Sequence, residues 1–278
     1  MTTLPLPPAF VTTVGGFGQL NLTLNSKYMS VVMKADTSLV LTGDVKSVMN
    51  TNFSSWISGG SLFMVELSSS NTGGTAHAFP FMPGTVQLIN LLPGHDHFVT
   101  HGAFLAASSN VVITPSIQLG GVLLNQSIIY MRVSVPAGKG FVAVAGYGSI
   151  IQQTVPTNGK VYVEGGLLVA FPAAMAFETT VGKASLGATV LSDMGFYTCF
   201  TSPGIVLTQS GSVNRMARYM ADKVGVPQPE TLTGAVVSGV AEVAAVSILG
   251  SLLGNSSGSE GGGKSKAKAN KAKAKAKK

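Results

Sequence analysis

Along most of this chain the apolar positions recur every second residue. In QSIIYMRVSVP the residues Ile129, Met131, Val133 and Val135 fall on one side, and Tyr130, Arg132 and Ser134 on the other. That alternation predicts a half-buried strand. SLFMVEL repeats it, with Phe63, Val65 and Leu67 opposite Glu66. Turn signals punctuate such runs at Gly73-Gly74, Pro83-Gly84, Pro93-Gly94, Gly120-Gly121, Asn158-Gly159, Gly165-Gly166 and Pro203-Gly204. The period lengthens after Gln209. Ser212 is an N-cap candidate, and Val213, Met216, Ala217, Met220 and Val224 follow at helical spacing before Gly225 and Pro227.

The pattern yields four regions. Residues 1–26, with Pro5, Pro7 and Pro8, read as an extended lead-in. Residues 27–210 read as an all-β domain, a repeat-built β-sandwich. Residues 211–254 are helical, with a second segment from Thr231 to Gly254 that is apolar nearly all round. Residues 255–278 hold a Gly/Ser linker and a Lys/Ala tail, expected to be disordered.

Within the β region a phrase returns after 64 residues: Gly84, Val86, Phe98-Val99, Gly102 and Ala106 answer to Gly148, Ile150, Tyr162-Val163, Gly166 and Ala170. A shorter third copy, Gly195 to Ser210, echoes the segment from Gly60 and then the one from Pro83. A repeat of this size implies a duplicated supersecondary unit and pseudo-symmetry. The glycines of GAFLAA and GGLLVAF then read as turn residues needing φ > 0.

Composition alters this picture at one place. The net charge is +7, yet the residues up to Gly263 carry 10 Lys+Arg against 11 Asp+Glu. The eight lysines Lys264, Lys266, Lys268, Lys271, Lys273, Lys275, Lys277 and Lys278 supply the whole basic balance. Interleaved with alanine and free of aromatics, they offer charge without base readout. They suit nonspecific nucleic acid or an anionic membrane surface, and a solvated solubilising tail is the plainer reading. The single cysteine, Cys199, lies in the strand-like YTCF and reads as a buried thiol. With no disulfide framework and no signal-peptide pattern, an intracellular compartment, cytoplasmic first, is expected.

The motifs GGSLFMVEL, PGTVQLINLLPG, GAFLAA, GYGSIIQ, GGLLVAF and PGIVLTQS, in that order, resemble the altered-inheritance-of-mitochondria family. Its scaffold is similar to that of the tryptophan RNA-binding attenuator proteins. The resemblance spans roughly Lys27 to Ser210. It implies a β-sandwich of shortened double-stranded β-helix units able to self-associate, and a mitochondrial location as an alternative. It brings no catalytic motif, and the chain adds to it an apolar segment and a lysine tail.

Candidate chemistry is sparse. In PGHDHFVTHG the even spacing of His95, His97 and His101 would put all three on one face of a strand, with Asp96 pointing away. Imidazoles so placed resemble a cupin metal corner, and His77 would be a fourth ligand. A solvated histidine cluster is the alternative, since the second copy holds Gly159, Val161 and Gly165 at these places. There is no GxGxxG opening a helix, no P-loop and no GxSxG elbow. The apolar segment is long enough to span a bilayer. Glu242 near its centre costs about 2.5–3.5 kcal/mol there, which favours a helix packed on protein. Three functions follow in order: a non-enzymatic homo-oligomeric scaffold needing no cofactor and tethered by its tail, a membrane-associated organiser, and a cupin-like metal-dependent enzyme.

Overall fold

The computed structural model describes residues 4–14, 16–50, 64–117, 129–180 and 197–224. They form seventeen strands and one α-helix, so the protein is all-β. The second helical segment and the lysine tail lie outside the described residues.

The lead-in expected over residues 1–26 is instead largely strand: β1 (Ala9–Val14) and β2 (Phe17–Leu24) pair antiparallel. Leu20, Leu22 and Leu24 of β2 are at most 2 % exposed, while Gln19, Asn21 and Thr23 alternate with them. The period-two signal therefore begins before Lys27, behind a run of prolines that conceals it.

The first sheet also contains β3 (Val31–Lys34), β4 (Ser38–Asn50), β5 (Met64–Phe79), β6 (Gly84–Leu91), β8 (Phe104–Ser108) and β11 (Gly140–Tyr147). Its path runs β1-β2-β5-β3-β8-β11-β6, with β4 attached to β5. A Cβ on Gly18 would overlap the Thr85–Val86 backbone, so glycine lets β2 approach β6 and nearly closes the sheet into a barrel. Leu20, Leu22, Val31, Met33, Leu67, Phe141 and Ala143 fill its interior.

A second sheet runs β12-β17-β14-β7-β10-β9. Its members are β7 (His97–Thr100), β9 (Val112–Ile117), β10 (Ile129–Ser134), β12 (Ile150–Val155), β14 (Leu168–Pro172) and β17 (Gly204–Gln209). One face packs on the first sheet through Val99, Met131, Val133, Ala170 and Leu207, meeting Val142 and Val144. The other meets a small third sheet of β13 (Val161–Glu164), β15 (Phe177–Thr180) and β16 (Tyr197–Phe200). Between those two sheets Phe98, Tyr130, Phe171, Phe177 and Phe200 stack in tilted and edge-on contacts, ring centroids 4.9–6.1 Å apart. The Tyr130 hydroxyl meets Thr198 Oγ1 at 3.2 Å, so this buried polar tip is satisfied. Tyr130 was expected on a polar face. It is fully buried because β10 has a sheet on both sides, whereas Arg132 stays exposed.

The strand registers correspond at a fixed displacement. Val86↔Ala145 and Leu91↔Gly140 join β6 to β11, and 64 residues on, Ile150↔Gln209 and Val155↔Gly204 join β12 to β17. Ala106↔Ala143 likewise answers to Ala170↔Leu207, with an irregularity at the equivalent place in each ladder. Ile113↔Val133 answers to Phe177↔Phe200. The segment Gly204–Gln209 therefore stands at the register position of β11, not at that of β6, against which its sequence was matched.

The glycine expectation is corrected too. Neither Gly102 nor Gly166 has a positive φ; Gly148 does, at 76°, and Gly84 is pressed against the Gly146 carbonyl, where a side chain would overlap it.

Candidate functional site

The histidines do not share a strand. Only His97 lies on β7. His95 sits in the turn closed by its own N–H on the Leu92 carbonyl at 3.0 Å, and β7 ends at Thr100, where Ala103 N donates to Thr100 O at 3.0 Å. His101 is carried by that second turn, so two turns interrupt the even spacing. The His95 ring Nδ1 is 3.3 Å from the Pro93 carbonyl, and His97 Nδ1 is 3.2 Å from the His95 carbonyl. His77 stands apart on β5, its Nδ1 2.7 Å from Asn21 Oδ1 and 2.8 Å from Gln19 Nε2. Among the described residues no group of three or more His, Cys, Asp and Glu side chains is placed to hold a metal ion.

Burial pushes His97 below its ordinary pKa, against opposing contributions from the His95 carbonyl and Asp96. Burial also lowers His101, assisted by Lys34 and opposed by Asp36. His101 Nε2 is buried with no hydrogen-bond partner among the described residues. Both rings are thus held toward the neutral form.

Asp96 has a structural role that its strand-face assignment hid. Its Oδ2 accepts from Arg132 Nε at 2.9 Å and Nη2 at 2.6 Å, and its carbonyl accepts from Ala173 N at 2.8 Å. One residue thereby ties the start of β7 to β10 and to the end of β14. The detectable signal was a lone acid beside β7 and a lone base on the strand that pairs with it. Cys199 is buried on β16 as a free thiol.

A cleft of about 200 Å³ opens beside His101, floored by Phe104, Leu105 and Ala145 and rimmed by the Lys34–Asp36 ion pair at 2.9 Å. Its volume is small beside the ~300–1,000 Å³ usual for ligand pockets.

The largest unfinished surface is at β4. Strand β5 carries β4 along one edge for its whole length and β2 then β3 along the other. No described strand pairs with the outer edge of β4, which is 13 residues long. Val40, Leu41, Val48 and Met49 are 52 %, 39 %, 61 % and 60 % exposed on it. Gly43, at φ 81°, bends the strand opposite Gly74, and Asp44 Oδ2 accepts hydroxyls from Ser70 and Thr72 across the bend.

A second exposed apolar surface is α1 (Val213–Val224), the helix expected after Gln209. Ser212 caps it, with Arg215 N donating to its Oγ at 3.4 Å, and Arg215 Nη2 holds Glu164 of β13 at 2.7 Å. Val213, Met216, Tyr219 and Met220 remain exposed. Among the described residues no helix is long and apolar enough to cross a membrane; the candidate span, 231–254, lies outside them.

A family model described as mitochondrial biogenesis AIM24 matches residues 12–211. A crystal structure of a Streptococcus pyogenes protein from a structural genomics programme is similar in fold, with a TM-score of 0.65 at 18 % identity. The match covers 78 % of this chain and 99 % of that one. No curated protein matches the chain.

Proposed function

The chain belongs to the mitochondrial biogenesis AIM24 family, and from that premise we propose that it is a non-enzymatic assembly protein whose β body self-associates. The observation that carries this is β4, a long strand with one neighbour and four exposed apolar side chains. An edge of this kind offers a row of backbone donors and acceptors to another strand, and folded proteins ordinarily cover or blunt it. The common 64-residue displacement of the registers supports a body made of duplicated units, a rigid platform for such contacts. The lysine tail would tether the assembly to a polyanionic partner, because eight positive charges follow a body of nearly balanced charge.

A second reading, a membrane-associated organiser of mitochondrial type, draws support from the exposed apolar side chains of α1 and from the family's name. Native mass spectrometry of the full chain tests the first reading. Masses at multiples of the 28.4 kDa protomer are expected. A protomer mass at every concentration would overturn it, and lipid carried with that protomer would favour the second reading.

A further inference from the structure

We propose that β4 pairs antiparallel with β4 of a second copy, about a two-fold axis at Val45. The inference rests on the self-association reading above and names its interface.

Only two charged residues lie on the strand, Asp44 and Lys46, and they flank Val45. Antiparallel pairing centred on Val45 sets Asp44 of each copy opposite Lys46 of the other, giving two opposite-charge pairs. Parallel pairing in register would oppose Asp44 to Asp44 and Lys46 to Lys46, which is repulsive. The antiparallel register also sets Leu41 against Met49 and Thr42 against Val48, covering apolar groups now exposed. Ser47 falls opposite the bend at Gly43, where a small side chain leaves room for it. Both charges are available. Asp44 receives its two hydroxyls on Oδ2, leaving Oδ1 without a bond among the described residues, and Lys46 joins no ion pair there. Two-fold symmetry makes the contact close on itself after two copies.

A charge exchange in the full-length chain tests this. Lys46→Glu alone opposes acid to acid twice, and Asp44→Lys alone opposes base to base twice. Mixing the two variants restores both opposite pairs in a heterodimer. Sedimentation should show each variant associating at least about tenfold more weakly than the native chain, with the equimolar mixture recovering most of the loss. If Asp44→Lys loses its fold with the Ser70 and Thr72 contacts, the variant carrying both Leu41→Cys and Met49→Cys decides. Those positions are eight residues, about 26 Å, apart along one strand, so a disulfide between them must join two chains. Oxidation should give a covalent dimer. A native chain that associates while neither the mixture recovers nor the cysteines cross-link would overturn the β4 pairing and leave self-association standing. Lys46→Glu associating as well as or better than the native chain would make Lys46 an edge-blunting charge and also overturn the pairing. A native chain that never associates would remove both readings.

Discussion

Strands β11 and β4 are both rich in apolar residues, yet they have opposite fates. β11 lies between β6 and β8, with Phe141 and Ala143 inside the barrel and Val142 and Val144 between the two larger sheets. Both its edges and both its faces are used. β4 has β5 on one edge, and Val48 and Met49 near its end are exposed. Apolar character alone does not separate the two. The number of neighbouring strands does, and this is why a hydrophobic edge reads as an interaction surface while a hydrophobic centre reads as core.

The sharpest test of that difference is a pair of substitutions. Phe141→Ala in β11 should cost about 3–5 kcal/mol, through lost burial and the cavity left behind. Val48→Thr in β4 should change unfolding of the dissociated chain by less than about 0.5 kcal/mol while weakening association. Urea unfolding at low protein concentration measures both. A Val48→Thr cost near that of Phe141→Ala would erase the distinction.

A smaller effect sharpens the comparison at the buried histidine turn. His101 and His97 have folded pKa values below the ordinary 6.5, so the unfolded chain binds protons that the folded chain refuses. Their contribution is therefore full above 6.5 and is lost as pH falls through that value and the lower folded one. Replacing His101 with Gln should flatten the fall in stability on acidification, measured by thermal unfolding across this range. Its neighbours Lys34 and Asp36 remain to set the residual slope. An unchanged slope would mean that His101 does not titrate against folding.

The smallest effect on the fold is expected from the tail. Deleting Lys264 to Lys278 should leave unfolding unchanged and abolish binding to duplex DNA or anionic vesicles. For DNA the intact chain's salt slope would approach about −7 at full engagement, from roughly −0.9 per phosphate. Salt-insensitive binding that survives the deletion would move recognition into the β body.

Much of the fold was legible from side-chain periodicity. Met131 and Val133 are buried as their alternation predicts, and Ser212 caps a helix with the expected spacing. What was hidden depends on partners distant in the chain. Nothing local tells that Tyr130 faces an aromatic layer rather than water, because β13, β15 and β16 arrive later in sequence. Even spacing placed three histidines on one face only if the strand continued, and the turns at Leu92–His95 and Thr100–Ala103 end it. Exposure of β4 was invisible for the same reason, since its alternation does not reveal that only one edge is occupied.

Hydrogen exchange across a range of protein concentrations tests the central claim most directly. β11 amides are bonded within the chain and should exchange at a rate independent of concentration. Outward-facing amides of β4 should exchange quickly when dilute and slow progressively as the chain associates. Association without any slowing at β4 would contradict the account, because it would place the contact between copies on another surface.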